Sequence, residues 1–145
     1  MYRHILIPTD GSTLSLAAAQ KALEFARDAV AKVTVLTVVE PFHVFTSDTE
    51  QLESTAEEYE RQAGRAAGSH LADVALKAEA MGVACDTVQV VSDEPYQAII
   101  DVASQKGCDL IAMASHGRRG LAALVLGSVA VKVLTHSTIP VLVYR

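Results

Sequence analysis

At 145 residues the chain is long enough for one domain with a proper buried core. Half of its residues are hydrophobic and its net charge is −5, a balance that argues against a protein built to coat nucleic acid or an anionic membrane. Aromatic residues are few and Trp is absent, so the interior is expected to rest on many small contacts among Ala- and Val-rich helices and strands.

Ile5-Leu6-Ile7 has no polar alternation and reads as a strand covered on both faces. It ends at Pro8-Thr9-Asp10-Gly11-Ser12, a turn in which Ser12 is placed to cap the next helix. Leu14, Ala18, Ala22, Phe25 and Ala29 then recur at helical spacing. Residues 33–39, β-branched almost throughout, form the second strand, and Pro41 closes it. Residues 42–50 are irregular and polar, as in a mobile loop. A long helix follows, with Leu52, Ala56, Tyr59, Ala63, Ala67, Leu71, Val74, Ala78 and Met81 as one apolar stripe and Gly82 placed to end it. Its middle (Gly64, Ala66, Ala67, Gly68) is small-sided. Since each glycine costs a helix about 1 kcal/mol relative to Ala, these residues predict close packing against a neighbouring element.

Residues 83–91 alternate as an edge strand would. Ser92 or Asp93 is positioned to cap the following helix, and Pro95 suits its first turn. Tyr96, Ile99, Ile100 and Ala103 mark its buried face, and Gly107 ends it. Residues 109–114 are a buried strand that stops at Ser115-His116-Gly117-Arg118-Arg119-Gly120, a small, polar and basic loop. No acidic residue occurs from Ile111 onward. Gly127-Ser128 opens a last helix that runs to about His136, and residues 139–144 are the closing strand. Cys85 and Cys108 stand beside strands as small core or edge residues, and nothing asks for a disulfide. Met1-Tyr2-Arg3-His4 lacks a signal-peptide pattern, and no apolar stretch reaches the ~20 residues of a membrane span, so a cytoplasmic protein is expected.

Strand and helix alternate through five strands and four helices, which implies the α/β class: a single open parallel sheet in the order 3-2-1-4-5, Rossmann-like, with helices on both faces. Ligands of such sheets bind at the carboxyl ends of strands where the order reverses. Here that point lies between the first strand's end (Pro8-Thr9-Asp10) and the fourth's (Ala114-Ser115). The basic loop and the start of the last helix have the parts of a phosphate cradle: free amides, the positive end of a helix dipole, and glycines that admit a ligand close to the backbone. The alternative is an ordinary surface connection, with Gly127 inside one continuous helix from Leu121 that leaves no anion site.

Residues 5–12 (Ile-Leu-Ile-Pro-Thr-Asp-Gly-Ser), residues 113–120, Leu126-Gly127-Ser128 and Pro140-Val141-Leu142-Val143 resemble the universal stress protein family in order and spacing along essentially the whole chain. The resemblance implies one universal stress protein domain over residues 1–145, of adenine nucleotide alpha hydrolase-like fold, in the branch that binds ATP. That branch carries Gly, two residues, Gly, nine residues, then Gly-Ser or Gly-Thr. Gly117 matches the second glycine, Arg118 to Leu126 are the nine, and Gly127-Ser128 completes the motif. Ala114 replaces the first glycine, a change that fails only if the position needs a positive φ. Asp93 stands where the family often has Gly, two residues before Pro95.

By the same resemblance, Pro8 and Val38 line the adenine slot, with the Val38 backbone reading the base edge. Asp10 accepts from the ribose hydroxyls, with helix capping as its alternative role, and Thr9 joins the site or only shapes the turn. Gly117, Gly127 and Ser128 hold the phosphates; Met113, Ser115 and Gly120 fall in the same matched segments, and Val129, which follows Ser128, joins the site. Arg118 screens phosphate charge or is simply solvated, and His116 contacts the ligand or shapes the loop. The implied ligand is ATP, with Mg or Mn bridging its phosphates and held mainly by the nucleotide.

No Gly-x-x-x-x-Gly-Lys-Ser/Thr loop occurs, the cradle lacks a lysine, and no second carboxylate accompanies Asp10 to organise a metal and an attacking water. The expected function is a nucleotide-gated regulatory or stress-response module with at most slow ATP hydrolysis. Its competitors are a dimeric stress-response interaction protein with a non-functional pocket and, third, an adenylate hydrolase or transferase. His4, His43, His70 and His136 show no ligand-like spacing and predict no metal site. The apolar closing strand Ile139-Pro140-Val141-Leu142-Val143-Tyr144 falls at the edge of the expected sheet, so a homodimer joined along it is expected, as the resemblance also implies.

Overall fold

The structure, a computed structural model, is described for residues 1–42, 49–117 and 126–145, with residues 49–54 described by their backbone alone. Strands and helices alternate as β1 (His4–Pro8), α1 (Thr13–Ala29), β2 (Lys32–Val39), α2 (Thr49–Ala80), β3 (Cys85–Val91), α3 (Pro95–Lys106), β4 (Leu110–Ala114), α4 (Ser128–His136) and β5 (Val141–Tyr144). The pairings are all parallel, in the order β3-β2-β1-β4-β5, as the strand–helix alternation predicts. Ile5 and Ile7 of β1 pack with Leu23, Leu71 and Val74 of α1 and α2. Leu6, Leu36 and Ile111 pack with Ile99, Val102 and Val133 of α3 and α4 on the other face. Because β1 and β4 are covered on both faces, their sequences are continuously apolar; burying each large side chain contributes roughly 1.5–3 kcal/mol. Among the described residues no helix is long and apolar enough to cross a membrane.

Several boundaries and faces differ from the sequence reading. Ser12 caps α1, accepting from the Ser15 amide at 3.2 Å. The buried face of that helix is Ser15, Ala18, Ala19, Ala22, Leu23 and Ala26, while Leu14, Phe25 and Ala29 sit half-buried at its margins. Small residues thus face the sheet and larger ones fill the flanks, as where Phe25 meets Tyr2 with ring centroids 6.3 Å apart. In α3, Ala98, Ile99, Val102 and Ala103 are buried, and Tyr96 and Ile100 are half-buried. The N-cap position of α3 falls on neither Ser92 nor Asp93. Its N-cap is Glu94 with no side-chain cap, and Ser92 accepts from the Glu94 amide at 3.1 Å instead. Pro95 removes one of the amides a cap would serve.

β3 begins at Cys85 rather than 83 because the Val83 amide still bonds to Ala78 of the preceding helix, 2.9 Å away. β5 begins at Val141 rather than 139 because Ser137 holds Ile139 in a turn through both its amide and its carbonyl. Of the expected mobile loop, residues 43–48 lie outside the described residues, and Thr49 and Glu50 are already helical. In the small-sided middle of α2, Ala67 is buried as predicted, but the glycines are not closely packed. A side chain at Gly68 would meet nothing within 4 Å, and one at Gly64 only the Gln89 amide nitrogen at 3.4 Å.

At the amino ends of the strands, polar groups are tied into a network. His4 Nε2 lies 2.7 Å from Thr34 Oγ1, Thr34 donates to Asp86 at 2.5 Å, and Asp86 pairs with Lys106 at 3.1 Å. The Asp109 carboxylate accepts from the amides of Arg3 at 2.9 Å and His4 at 3.0 Å. Thr34 gives its one hydrogen to an acceptor-only carboxylate, so its oxygen accepts from His4 Nε2–H. Burial, and then the Lys32 charge, hold His4 below the ordinary imidazole value, against an opposing pull from Asp86, the Lys106 backbone and Asp109. Burial alone would raise Asp86, but hydrogen bonds from Thr34 and Lys106 outweigh it and hold the carboxyl below the usual carboxylate range. Both cysteines are free. Burial first, then Asp86 and Asp109, push the Cys108 thiol up to about 11.

His4 therefore resists a proton that the unfolded chain accepts near 6.5. Its contribution to stability is present above that value and is lost as pH falls through the lower native one. The urea midpoint of the wild type should drop more steeply between about pH 7.5 and about pH 5.5 than that of His4→Gln. Equal slopes would contradict the network.

Candidate functional site

The carboxyl ends of β1, β2 and β4 open on a cavity of about 640 Å³ at the point where the strand order reverses. Its floor begins at Pro8, where β1 ends. Thr9 is buried and wholly engaged in shaping the turn. Its amide donates to the Leu36 carbonyl at 2.8 Å, and its carbonyl accepts from the Thr37 hydroxyl at 3.0 Å. Its hydroxyl lies 2.9 Å from that of Ser15 and accepts from the Gly11 amide at 3.2 Å. The Asp10 carboxylate accepts from the Ser12 amide at 2.9 Å, a contact within the turn, while the cap of α1 is Ser12. Its other oxygen lies against Gly117, where any Cβ would overlap it. Gly11, at φ +80°, turns the chain, and the His70 ring packs against it where a side chain would stand.

From β4 the chain passes through Ser115, which is 2 % exposed and bonded on three sides. Its amide donates to the Tyr144 carbonyl at 2.7 Å, its carbonyl accepts from the Gly127 amide at 2.7 Å, and its hydroxyl lies 3.2 Å from His116 Nδ1. Ala114, at the position of the motif's first glycine, ends a regular strand, and among the described non-glycine residues only Val30 has a positive φ. The methyl is accommodated. Gly127 is extended (φ −76°, ψ 166°) and is the N-cap of α4, so no helix runs through it from Leu121. A Cβ there would stand 3.0 Å from His116 Cβ, 3.1 Å from His116 Cα and 3.3 Å from the Ser115 carbonyl oxygen. This glycine serves close approach, not unusual torsion. With no side chain to cap α4, and with Val131 making its first bond back to Gly127, the amides of Ser128, Val129 and Ala130 have no acceptor within the helix.

The walls come from further away. Val38 and Met113 line the cavity beside Pro8. From α2 come Ala63, Ala66, Ala67, His70 and Tyr59, whose hydroxyl donates to the Glu40 carbonyl at 3.2 Å. From α3 and α4 come Tyr96, Ile99 and Lys132, with the Lys132 ammonium 5.4 Å from the centre of the Tyr96 ring. Of the residues expected at the site, Pro8, Thr9, Asp10, Val38, Met113, His116, Gly117, Gly127, Ser128 and Val129 meet around this one cavity. Ser115 stands behind the wall, and Arg118 and Gly120 lie outside the described residues. His70, Tyr59 and Tyr96 were not foreseen, and Lys132 was expected to add only slightly to the basic cradle. The one sequence signal for this wall was the small-sided middle of α2, whose alanines leave the space open. Among the described residues, no group of three His, Cys, Asp or Glu side chains could hold a metal ion.

Over residues 1–145 the chain matches the Universal stress protein family. It is 34% identical over 145 residues to the universal stress protein MJ0531 of Methanocaldococcus jannaschii, covering all of this chain and 83% of that one. Among solved structures it is similar to the protein MJ0577 of the same organism (TM-score 0.82, 29% identity, 99% of this chain and 95% of that one). It is also similar to a universal stress protein crystallised in complex with cAMP (TM-score 0.72, 27% identity, 99% and 97%).

The glycine contacts are open to a stability test. Gly117→Ala and Gly127→Ala should each lower stability by about 1–3 kcal/mol, because the added methyl meets Asp10 or the His116 backbone. Gly68→Ala, in open space on α2, should raise it by about 0.5–1 kcal/mol. Three variants shifted alike in urea unfolding would show that the two loop glycines are not held by these contacts.

Proposed function

The chain belongs to the universal stress protein family, and from that premise we propose that it is an ATP-binding, nucleotide-gated regulatory module with at most slow hydrolysis. The observation that carries this reading is the start of α4: three backbone amides without helical acceptors open on a cavity that also holds the Asp10 carboxylate. A cavity of about 640 Å³ is within the usual range for small-molecule sites. Pro8, Val38 and Met113 offer an apolar slot for adenine, Asp10 an acceptor for ribose hydroxyls, and Gly117, Gly127, Ser128 and Val129 the phosphate contacts. The relative crystallised with cAMP supports an adenine nucleotide as the ligand. A divalent ion would ride on the phosphates, since the described side chains form no cluster of their own for one. The reading of slow hydrolysis rests on the lack of a Gly-x-x-x-x-Gly-Lys-Ser/Thr phosphate loop in the sequence; Glu40, Asp93, Glu94 and Lys132 line the same cavity as Asp10.

Titration calorimetry with ATP, with and without magnesium, tests the proposal. The wild type should bind; Asp10→Ala should weaken binding about tenfold or more through lost ribose hydrogen bonds, and Gly127→Val should abolish it. Failure of the wild type to bind ATP, ADP, AMP or cAMP would end this reading.

The same proposal includes a homodimer along β5. The carbonyls of Pro140 and Tyr144 accept from Ile111 and Ser115 of β4, so Val141 and Val143, alternating with them, turn their backbone groups to the open edge. Val131 and Leu134 of α4 are 45% and 42% exposed. Light scattering should give a dimeric mass for the wild type and a monomeric one for Val143→Pro, because proline is tolerated where an edge N–H faces outward. A monomeric wild type at micromolar concentration would refute the dimer.

A further inference from the structure

The cavity wraps around the carboxyl edge of the sheet, and the apolar residues offered to adenine lie on only one of its two sides. Val38 and Met113 belong to the cluster under α3 and α4. Thr37 and Val39, which alternate with Val38 along β2, turn to the opposite side and also line the cavity. There they face α2, whose Tyr59, Ala63, Ala66 and His70 recur at helical spacing on one face of the helix. From Tyr59 to His70 that face is about 16 Å long. Alanine methyls between two rings leave a slot along the strand ends. Tyr59 is held at one end by its bond to the Glu40 carbonyl and by Phe42, with ring centroids 5.2 Å apart. His70 stands at the other end, its ring on Gly11 and so beside Asp10. Among the described residues the His70 ring nitrogens have no hydrogen-bond partner. Lys132, the one lysine or arginine among the described lining residues, lies on the far side over Tyr96.

We propose that this slot takes an uncharged planar group attached to the ribose of the bound adenine nucleotide. The inference rests on the nucleotide-binding reading above and deepens it: the preferred ligand class is a ribose-acylated adenine nucleotide, not the bare one. One ribose hydroxyl stays with Asp10, and the other carries the group past Gly11 into the slot. The alanine wall and the fixed Tyr59 ring cover its apolar faces, and the His70 ring N–H donates to the acyl carbonyl. A phosphate substituent does not suit this side, because Asp10 and Glu40, which follow β1 and β2 and line the cavity, would repel it with no lysine or arginine at hand.

The probe for the test is ATP esterified on its 2′ or 3′ hydroxyl with N-methylanthranilic acid, whose emission rises and shifts to the blue in apolar surroundings. The wild type should bind it about tenfold tighter than ATP, with an emission change that excess ATP reverses. Ala66→Leu, which puts a larger side chain into the slot, should lower the ratio of the two affinities about tenfold. Tyr59→Ala should lower both that ratio and the emission change. Gly68→Leu, where α2 has open space, should keep the wild-type ratio. Probe binding no tighter than that of ATP, emission as in buffer, a ratio that Ala66→Leu or Tyr59→Ala leaves unchanged, or one that Gly68→Leu lowers equally would overturn the slot while ATP binding stands. A wild type that binds neither compound would overturn the nucleotide reading and the slot with it.

Discussion

β1 and β4 lie side by side, yet the chain leaves them toward opposite faces of the sheet. β1 runs into α1, which with α2 covers Ile5 and Ile7; β4 leads to α4, which with α3 covers Leu6 and Ile111. Each right-handed crossover returns on its own face, so neither connection closes the gap between the two departures. Asp10 and Gly117 come soon after the two strands end, and the carboxylate rests on a glycine that offers no side chain to push it away. Without that contact the two loops would stand further apart, and the cavity would lose the wall that joins its β1 side to its α4 side.

The two ends of the sheet treat their polar groups differently. At the amino ends His4, Thr34, Asp86 and Lys106 satisfy one another, and Asp109 takes up the amides of Arg3 and His4. At the carboxyl ends, among the described residues, the first amides of α4 have neither a helical acceptor nor a side-chain cap. Unpaired polar groups cost about 1–3 kcal/mol when buried away from water, and Ser128, Val129 and Ala130 all line the cavity. One end holds the strands together, and the other, among the described residues, leaves backbone donors without a helical acceptor.

The small residues of α2 connect composition to the cavity. Ala63, Ala66 and Ala67 line the cavity, and Gly68 has open space around the place of a side chain. Reading the stretch as a packing surface was reasonable, because small residues in a helix serve close approach and empty space equally well. The choice depends on what stands opposite, which is a property of the assembled molecule.

The order of elements, the parallel sheet, its reversal between the first and fourth strands and most of the motif residues around the cavity were legible from residues alone. Continuous apolar runs, helical periodicity and the handedness of crossovers are local or general constraints, so they survive without knowledge of distant contacts. What the assembled molecule alone decided was the rotation of α1 about its axis, the cap of α3, and the arrival of His70, Tyr59 and Tyr96 at the cavity walls. Each of these depends on a meeting between segments remote in the chain, where a residue's type carries no sign of its partner. Gly127 shows the division most clearly. Its place in the motif could be read directly, but the reason that no larger residue fits, the nearness of the His116 backbone, exists only once the loop has folded against the helix.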